Sequence, residues 1–276
     1  MSDRDDRAAA WRDWHDARLA GITAPYGPLA LTGTHWLADH PDGELPDLPG
    51  TWRVGEDADT VLLTASAADG ITLDGAPVDG TVTLGVDENA AGARVALGER
   101  RVAVLRREGE WAVRPFDPAA ETRAAFPGVV AAPYDPAWVL PGRFEPYDDE
   151  GGVRTVRVEN ADGRERGLGL GGELVFEREG VEHRLKVVVD GADGGLWAVF
   201  ADESSGGDSY RFRFLRPGAP AADGSIDVDL NRVTLPPCAL VDHFICPFPP
   251  PGNTLPFAVD AGERRVGAAE LAEAAA

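Results

Sequence analysis

Lysine, cysteine and glutamine are the scarce residues of this 276-residue chain, which has one lysine, two cysteines and no glutamine. The lysine, Lys186, lies in an alternating apolar run without a surrounding GxxxxGK[ST] pattern, so a P-loop is excluded. Lys186 is also the only residue able to form a Schiff base. Arginine supplies almost all of the positive charge. A GC-rich genome and selection for solubility at high salt both explain that bias, and neither indicates a function.

Two cysteines are too few for a disulfide framework or an all-cysteine zinc site. A bridge between Cys238 and Cys246 stays open, although reduced thiols are the expectation in a reducing compartment. The five histidines lack HxH and HExxH spacing, so no metal site is predicted. The N-terminal region contains no apolar run that would act as a signal peptide or membrane span, and we expect a cytoplasmic protein.

Basic residues are also fewer than acidic ones. The chain has 26 Lys and Arg and 47 Asp and Glu, which gives a formal net charge of -21. The acidic residues are spread along the chain and are not gathered in a tail. Binding to phosphate groups requires clustered Lys and Arg, so neither nucleic acid nor an anionic membrane is an expected partner.

The N-terminal segment, residues 1–50, begins with a predicted helix over residues 5 to about 20. The spacing of Trp11, Trp14 and Arg18 places these three side chains on one helix face, which we expect to pack on the rest of the protein.

The remaining chain predicts an all-β fold. Residues 51–117 are short alternating runs separated by Asp-Gly, which is typical of a small β-sandwich. Residues 118–265 begin with interleaved prolines and aromatics and continue with longer strands, including a hairpin at Arg178-Glu179-Gly180. These predict a larger antiparallel, barrel-like domain whose Pro-rich stretch 236–257 covers its surface or plugs one end. Residues 266–276 are a tail.

The C-terminal third is dense in polar, Pro and Gly residues, which indicates an ordered loop system. We call residues 200–263 the polar block. Its most distinctive motifs are Phe200-Ala201-Asp202, Asp229-Leu230-Asn231-Arg232, Pro236-Pro237-Cys238-Ala239, Cys246-Pro247 and Ala261-Gly262-Glu263. Together with Trp11, Trp36-Leu37 and Phe144-Glu145-Pro146-Tyr147, they make the chain resemble the domain of unknown function 1684 family. The resemblance implies no particular reaction, but it singles out the polar block.

Eight residues of this block are the candidate site. The predicted catalytic residues are Asp202, Cys238 and Glu263, because paired carboxylates support hydrolysis and a thiol can act as a nucleophile. The predicted ligand-binding residues are Tyr210, Arg213, Asn231, Arg232 and Asn253, and the arginines favour a small anionic or carboxylate ligand. We expect all except Asn253 to line one pocket.

Each residue also has a structural interpretation. Cys238 is more typical of a buried apolar position. The arginines are more typical of a solvated strand face, and Asp202 and Asn231 of loop caps. The leading hypothesis is a small-molecule-binding protein or enzyme, with hydrolysis as a candidate reaction and no cofactor specified. The alternative is a non-catalytic protein interaction module, in which the polar block is structural and an apolar patch beside Trp52 or Trp111 binds a partner.

Overall fold

The computed structural model describes residues 3–148, 152–190 and 193–268. These ranges contain two α-helices, α1 (Asp3–Ile22) and α2 (Glu121–Ala124), and neither is long and apolar enough to cross a membrane. Strands dominate the rest, so the predicted all-β class with one N-terminal helix is confirmed. The predicted tail lies outside the described residues from position 269 onward.

The chain divides into two compact units. One combines the residues up to Leu19 with those from Pro127 onward, and the other is Ala20–Phe126.

The unit Ala20–Phe126 is a β-sandwich. Its strands are β1 (His35–Trp36), β2 (Thr51–Val54), β3 (Val61–Ala65), β4 (Ile71–Leu73), β5 (Ala76–Pro77), β6 (Gly80–Leu84), β7 (Val95–Leu97), β8 (Arg100–Arg107) and β9 (Glu110–Phe116). A six-stranded sheet in the order β1-β9-β8-β7-β4-β5 faces a three-stranded sheet, β2-β3-β6. Trp52 and Leu63 of the smaller sheet share a core with Val104 and Trp111 of the larger one. The predicted small sandwich is therefore confirmed.

The other unit is built on a larger antiparallel sheet. Its strands are β10 (Val129–Ala131), β11 (Val139–Pro146), β12 (Arg154–Glu159), β13 (Glu165–Leu170), β14 (Gly172–Arg178), β15 (Val181–Asp190), β16 (Gly195–Phe200), β17 (Arg213–Gly218), β18 (Ser225–Asp229) and β19 (Glu263–Val266). Six of them form a half-barrel in the order β17-β16-β15-β14-β11-β18. Two small sheets, β12-β13 and β10-β19, complete the unit.

Both faces of the half-barrel are covered by the polar block. On one face, Phe176, Leu185 and Phe200 pack with Leu255 and Val259 of the C-terminal loop. The opposite face is buried under an earlier part of the same loop, through a cluster that includes Val199, Phe214, Cys238, Cys246 and Phe248. Because successive side chains of a strand alternate in direction, this wrapping buries neighbouring positions of β16 and β17 on both sides.

The tight hairpins follow the local sequence. Asp74-Gly75 joins β4 to β5 and Glu179-Gly180 joins β14 to β15, and all four residues have positive φ, between 53° and 80°. Two consecutive residues with positive φ are the conformation of the two-residue hairpin turn that best matches strand twist. The predicted hairpin at Arg178-Glu179-Gly180 is thus confirmed.

Gly262 is required where the chain enters β19. Its φ is +69°, and a Cβ at this position would lie 2.5 Å from the carbonyl oxygen of Val233 and 3.0 Å from that of Leu230. Both contacts are with backbone atoms, which a side-chain rotation cannot relieve. Glycine therefore allows β19 to approach Val233 closely, and the amide of Glu263 donates to the Val233 oxygen at 2.8 Å.

We predict that Gly262→Ala lowers the free energy of unfolding by about 3 kcal/mol, because strain in φ adds to a clash with backbone. The matched control is Gly206→Ala, with φ +82° and no heavy atom within 4 Å of the added Cβ. It should cost about 1 kcal/mol, the strain alone. Chemical denaturation of both variants measures the difference, and equal losses would contradict the close approach.

Candidate functional site

A buried ion pair between Arg213 and Asp202 lies at the centre of the polar block. Both side chains are 0% exposed, and Nη2 of Arg213 donates to Oδ2 of Asp202 at 2.7 Å. The guanidinium also donates to the carbonyl oxygens of Val259 at 2.8 Å, Ala261 at 3.0 Å and Glu263 at 3.2 Å. A buried cation is tolerated only when it is paired and hydrogen-bonded. Arg213 therefore holds the loop after β16 against the segment that leads into β19.

Asp202 is fully engaged inside the protein. Its Oδ1 accepts hydrogen bonds from the amide of Ser204 at 2.8 Å and the hydroxyl of Ser204 at 2.5 Å, and that hydroxyl also contacts the Ser209 hydroxyl at 2.8 Å. Burial alone would raise the pKa of Asp202, but the charge of Arg213 and the hydrogen bonds from Ser204 outweigh it and lower the pKa. The carboxylate is therefore ionised at neutral pH and shielded from solvent.

Glu263 connects the polar block to α1. Its side chain is 1% exposed and binds Arg18 through two parallel hydrogen bonds, Nε to Oε1 at 2.6 Å and Nη2 to Oε2 at 2.9 Å. The amide of Leu235 donates to Oε2 at 2.7 Å, and Nη2 of Arg18 donates to the Leu235 oxygen at 3.0 Å. Burial raises the pKa of Glu263, but His15 and Arg18 together reverse the effect and lower it. The pair fixes the helix to the loop that precedes Pro236.

The two predicted asparagines act as partners for backbone groups. Asn231 exchanges two hydrogen bonds with the backbone of Asp135, both at 3.0 Å. Asn253 accepts from the amide of Lys186 at 2.9 Å and donates to the carbonyl oxygens of Lys186 at 2.8 Å and Val199 at 2.9 Å. Both amides are buried, and Asn253 bridges β15 and β16. Their described contacts are therefore internal to the fold.

Tyr210, which is half-buried, contacts the buried Cys238. The Tyr210 hydroxyl lies 3.4 Å from the carbonyl oxygen of Cys238 and 3.9 Å from its Sγ, and Sγ of Cys246 accepts from the Cys238 amide at 3.4 Å. Both cysteines are reduced thiols in the structure, with no disulfide between them.

Arg232 differs from the other predicted residues because it lines an open cleft. Its guanidinium lies 5.0 Å from the ring centre of Trp14, and its Nε is 3.4 Å from Oδ2 of Asp229. We call this depression the α1 cleft; it encloses about 470 Å³ beside α1, β11, β17 and β18. The cleft is lined by Arg7, Ala10, Trp11, Tyr134, Val139, Arg216, Pro217, Gly218, Asp227, Asp229 and Arg232.

Contacts with the polar block hold α1 in place, and α1 forms one side of the α1 cleft. Trp11 Nε1 donates to the carbonyl oxygen of Asn231 at 2.8 Å, and its ring stacks on His15 at a centroid distance of 5.2 Å. Together with the Arg18–Glu263 pair, which lies about two turns further along the helix, these contacts hold one face of α1 against the unit. The predicted shared face of Trp11, Trp14 and Arg18 is the face that makes them.

The predicted common pocket does not coincide with the α1 cleft. Of its expected lining residues, Arg232 alone lines the α1 cleft, whereas Asp202, Arg213, Asn231 and Glu263 are buried with partners inside the protein. The physical reason is that charged and amide groups in a loop system also satisfy the backbone around them. The catalytic and binding roles assigned to the eight residues remain predictions.

Several cleft residues were outside the predicted site. Arg7 precedes Trp11 by four positions and so shares its helix face, which is a signal present in the sequence. Arg216 continues the arginine-rich strand that begins at Arg213. Tyr134 and Asp227 come from separate segments, and no local pattern connects them to the helix.

Comparison with known proteins gives the chain its family. Residues 124–264, just over half of the chain, match the family described as "Protein of unknown function (DUF1684)". The chain belongs to this family. The matched residues include all eight predicted site residues and most of the α1 cleft.

Solved structures with similarity to this DUF1684 protein include an archaeal one. It is the solution NMR structure of the uncharacterized protein from gene locus rrnAC0354 of Haloarcula marismortui, with 29% identity and a TM-score of 0.42. The match covers 51% of this chain and 78% of that chain. No curated protein matches the chain.

A metal centre is not evident in the described part of this DUF1684 protein. Within residues 3–148, 152–190 and 193–268, no group of three or more His, Cys, Asp or Glu residues is placed to hold an ion. Asp227 and Asp229 lie together on β18, but as a pair.

The lowered pKa of Glu263 predicts a defined pH dependence of stability. The folded-state pKa lies below the unfolded value of about 4.3, so the ionised carboxylate stabilises the fold above that pH and the effect is lost as the pH falls through the folded-state pKa. We expect Glu263→Gln to cost about 3 kcal/mol at pH 7, because Arg18 loses its charged partner. The deficit relative to wild type should shrink below about pH 4.

Urea denaturation across this pH range measures the effect. Glu203→Gln is the control, since Glu203 is exposed in the same loop system. A Glu263→Gln deficit that stays constant from neutral to acidic pH would show that the charge of Glu263 does not stabilise the fold.

Proposed function

We propose that this protein binds a small organic anion, best matched by an aromatic carboxylate, in the α1 cleft. The observation that carries the proposal is the convergence of three arginines, Arg7, Arg216 and Arg232, with two aromatic rings around one cavity of about 470 Å³. That volume is within the usual range for small-molecule sites.

The charge of the cleft supports an anion. Its lining has three arginines against two aspartates, Asp227 and Asp229, whereas the chain has 26 basic against 47 acidic residues. Local positive excess in a strongly acidic protein raises the concentration of anions at that place relative to the rest of the surface. Arginine also matches a carboxylate with two parallel hydrogen bonds.

The existing ion pair of Arg216 is exchangeable. Arg216 contacts Asp190 at 2.5 Å, but the two side chains are 51% and 53% exposed. Exposed pairs contribute only about 0–1 kcal/mol, so a ligand carboxylate can replace the aspartate at small cost. Arg232 is held in place by the Trp14 ring and keeps its guanidinium at the cleft.

The aromatic rings supply the apolar part of the site. Trp11 and Tyr134 both line the cleft, with ring centroids 6.4 Å apart and planes inclined by 40°. Such an arrangement offers two ring surfaces to a flat or apolar group, in addition to the charged groups.

Binding is a better match to the geometry than hydrolysis. A general base must reach the proton it removes, and the buried carboxylates of Asp202 and Glu263 are each occupied by an arginine. The alternative of a docking module has less support, because Trp52 and Trp111 are only 1% and 3% exposed and therefore offer little apolar surface of their own to a partner. A cytoplasmic location remains part of the proposal.

A panel of aromatic and aliphatic carboxylates, each paired with its neutral amide, tests the proposal by calorimetric titration. Benzoate and benzamide are the first pair. We expect carboxylates to bind and amides to bind at least about tenfold more weakly, since a charge-assisted hydrogen bond contributes roughly 1.5–3 kcal/mol.

Two variants give opposite changes if the ligand is an anion. Arg216→Ala should weaken carboxylate binding about tenfold, whereas Asp227→Asn, which removes a repelling charge, should strengthen it. Arg94→Ala, at an exposed ion pair with Asp74 in the unit Ala20–Phe126, should leave it unchanged. Binding that fails to distinguish carboxylates from amides, or that responds equally to Arg216→Ala and Arg94→Ala, would reject the α1 cleft as an anion site.

A further inference from the structure

We propose that Cys238 and Cys246 form a peroxide-reactive thiol pair that small hydroperoxides convert into an intrachain disulfide. This site is separate from the α1 cleft, because neither cysteine lines that cavity. The inference does not depend on the proposed ligand.

The fold brings the Cys246 sulfur against the backbone of Cys238. These are the only two cysteines among 276 residues, and Sγ of Cys246 lies 3.4 Å from the backbone nitrogen of Cys238. Cys238 is in the short helical turn Pro237–Ala239, and both thiols lie in one cluster with Phe212 and Phe248. Only seven residues separate the cysteines in sequence, so the segment they would close is short and already folded back on itself.

The surroundings of Cys238 favour its thiolate. A hydrogen bond from the Cys246 thiol lowers the pKa of Cys238 against the opposing effect of burial, and the Tyr210 hydroxyl and the Arg211 charge lower it further. Burial, followed by the adjacent Cys238, raises the pKa of Tyr210, so its phenol keeps the proton that it donates. The thiolate is the reactive form of cysteine toward peroxides.

Arg211 lies beside two of the aromatic rings that pack with the cysteines. It is exposed, and its guanidinium lies 4.4 Å from the ring centre of Phe248 and 5.7 Å from that of Tyr210. A fixed positive charge at this position stabilises the Cys238 thiolate relative to the thiol. Cys238 is therefore assigned the attacking role and Cys246 the resolving role.

The reaction balances in two steps. After Cys238 loses its proton, its sulfur attacks one oxygen of the hydroperoxide, the O–O bond breaks, and Cys238 becomes a sulfenic acid while the released alkoxide takes up a proton. The Cys246 sulfur, having lost its proton, then attacks the sulfenic sulfur, and the hydroxide that leaves is protonated to water. In total two thiols are oxidised by two electrons, and one hydroperoxide is reduced to an alcohol and water.

Limited exposure restricts the oxidant. Cys238 and Cys246 are 5% and 7% exposed, so only small hydroperoxides can reach their sulfurs, and hydrogen peroxide is the simplest of these. Larger thiol reagents should react more slowly with the folded protein than with the unfolded chain.

The test uses the full-length folded protein and hydrogen peroxide. Samples are taken over time, remaining thiols are alkylated, and intact mass and peptide mass spectrometry identify the products. We expect both thiols to disappear together, a Cys238–Cys246 peptide to appear, and reductant to restore both thiols. Persistence of two alkylatable thiols after prolonged exposure to excess peroxide would overturn the proposal.

Variants assign the two roles. In Cys246→Ser, Cys238 should accumulate as a sulfenic acid that dimedone traps. In Cys238→Ser, the remaining Cys246 thiol should react with peroxide at least about tenfold more slowly. Tyr210→Phe should slow the reaction of Cys238 without removing it. Circular dichroism establishes that each variant is folded. Equal reaction rates in the two serine variants would contradict the assignment, and the wild-type peptide analysis decides the disulfide even if a serine variant does not fold.

Discussion

The unit that combines the residues up to Leu19 with those from Pro127 onward depends on the burial of one guanidinium. Arg213 has no contact with solvent, so its charge must be balanced within the protein. Both Nη groups are hydrogen-bonded there, whereas Nε has no hydrogen-bond partner among the described residues. Asp202 supplies the charge, and three carbonyl oxygens between positions 259 and 263 accept the other hydrogen bonds. The loop after β16 and the chain entering β19 must therefore meet at β17, although they are about sixty residues apart in sequence, which is a large loop-closure cost for a single contact.

The other features of the polar block follow from that meeting point. Once the entry to β19 is fixed, Gly262 permits the close approach to Val233, and Glu263 is directed at the loop before Pro236, where Arg18 reaches it. The helix α1 is thereby held in place by an ion pair between residues 245 positions apart. Arg7, Ala10 and Trp11 of this helix then line one side of the α1 cleft. Most polar side chains of the polar block thus bind other groups inside the protein, whereas Arg232 lies at the margin of the block and lines the α1 cleft.

Sequence reasoning succeeded where the determining contacts are local. The hairpin at Glu179-Gly180 follows from two adjacent residues with positive φ, and the helix face of Trp11 and Arg18 follows from helical periodicity. The ordered character of the polar block was also predictable from its composition. The orientation of its side chains was not, because an aspartate, arginine or asparagine in a loop has the same sequence signal whether it faces a cavity or a backbone group.

The partner of each buried group was the missing information. Arg18 was identified as part of a helix face, but nothing in the sequence links it to Glu263. Likewise, Cys238 and Cys246 were recognised as neighbours in sequence, whereas the contribution of Tyr210 and Arg211 to their chemistry depends on the packing of β17 under the Pro-rich loop. The sequence pattern therefore identifies the polar residues of the site, but it does not predict which distant residues they pair with.

A double-mutant cycle between Asp202 and Arg213 tests this account most directly. Asp202→Asn, Arg213→Met and the double variant would be compared with wild type by chemical denaturation at neutral pH. Each single variant should lose about 3–5 kcal/mol of unfolding free energy, because it leaves one buried charge without its partner, and the double variant should lose less than the sum by about 2 kcal/mol or more. Losses that add to within about 0.5 kcal/mol would show that the two groups act independently and would contradict the central role of the buried pair.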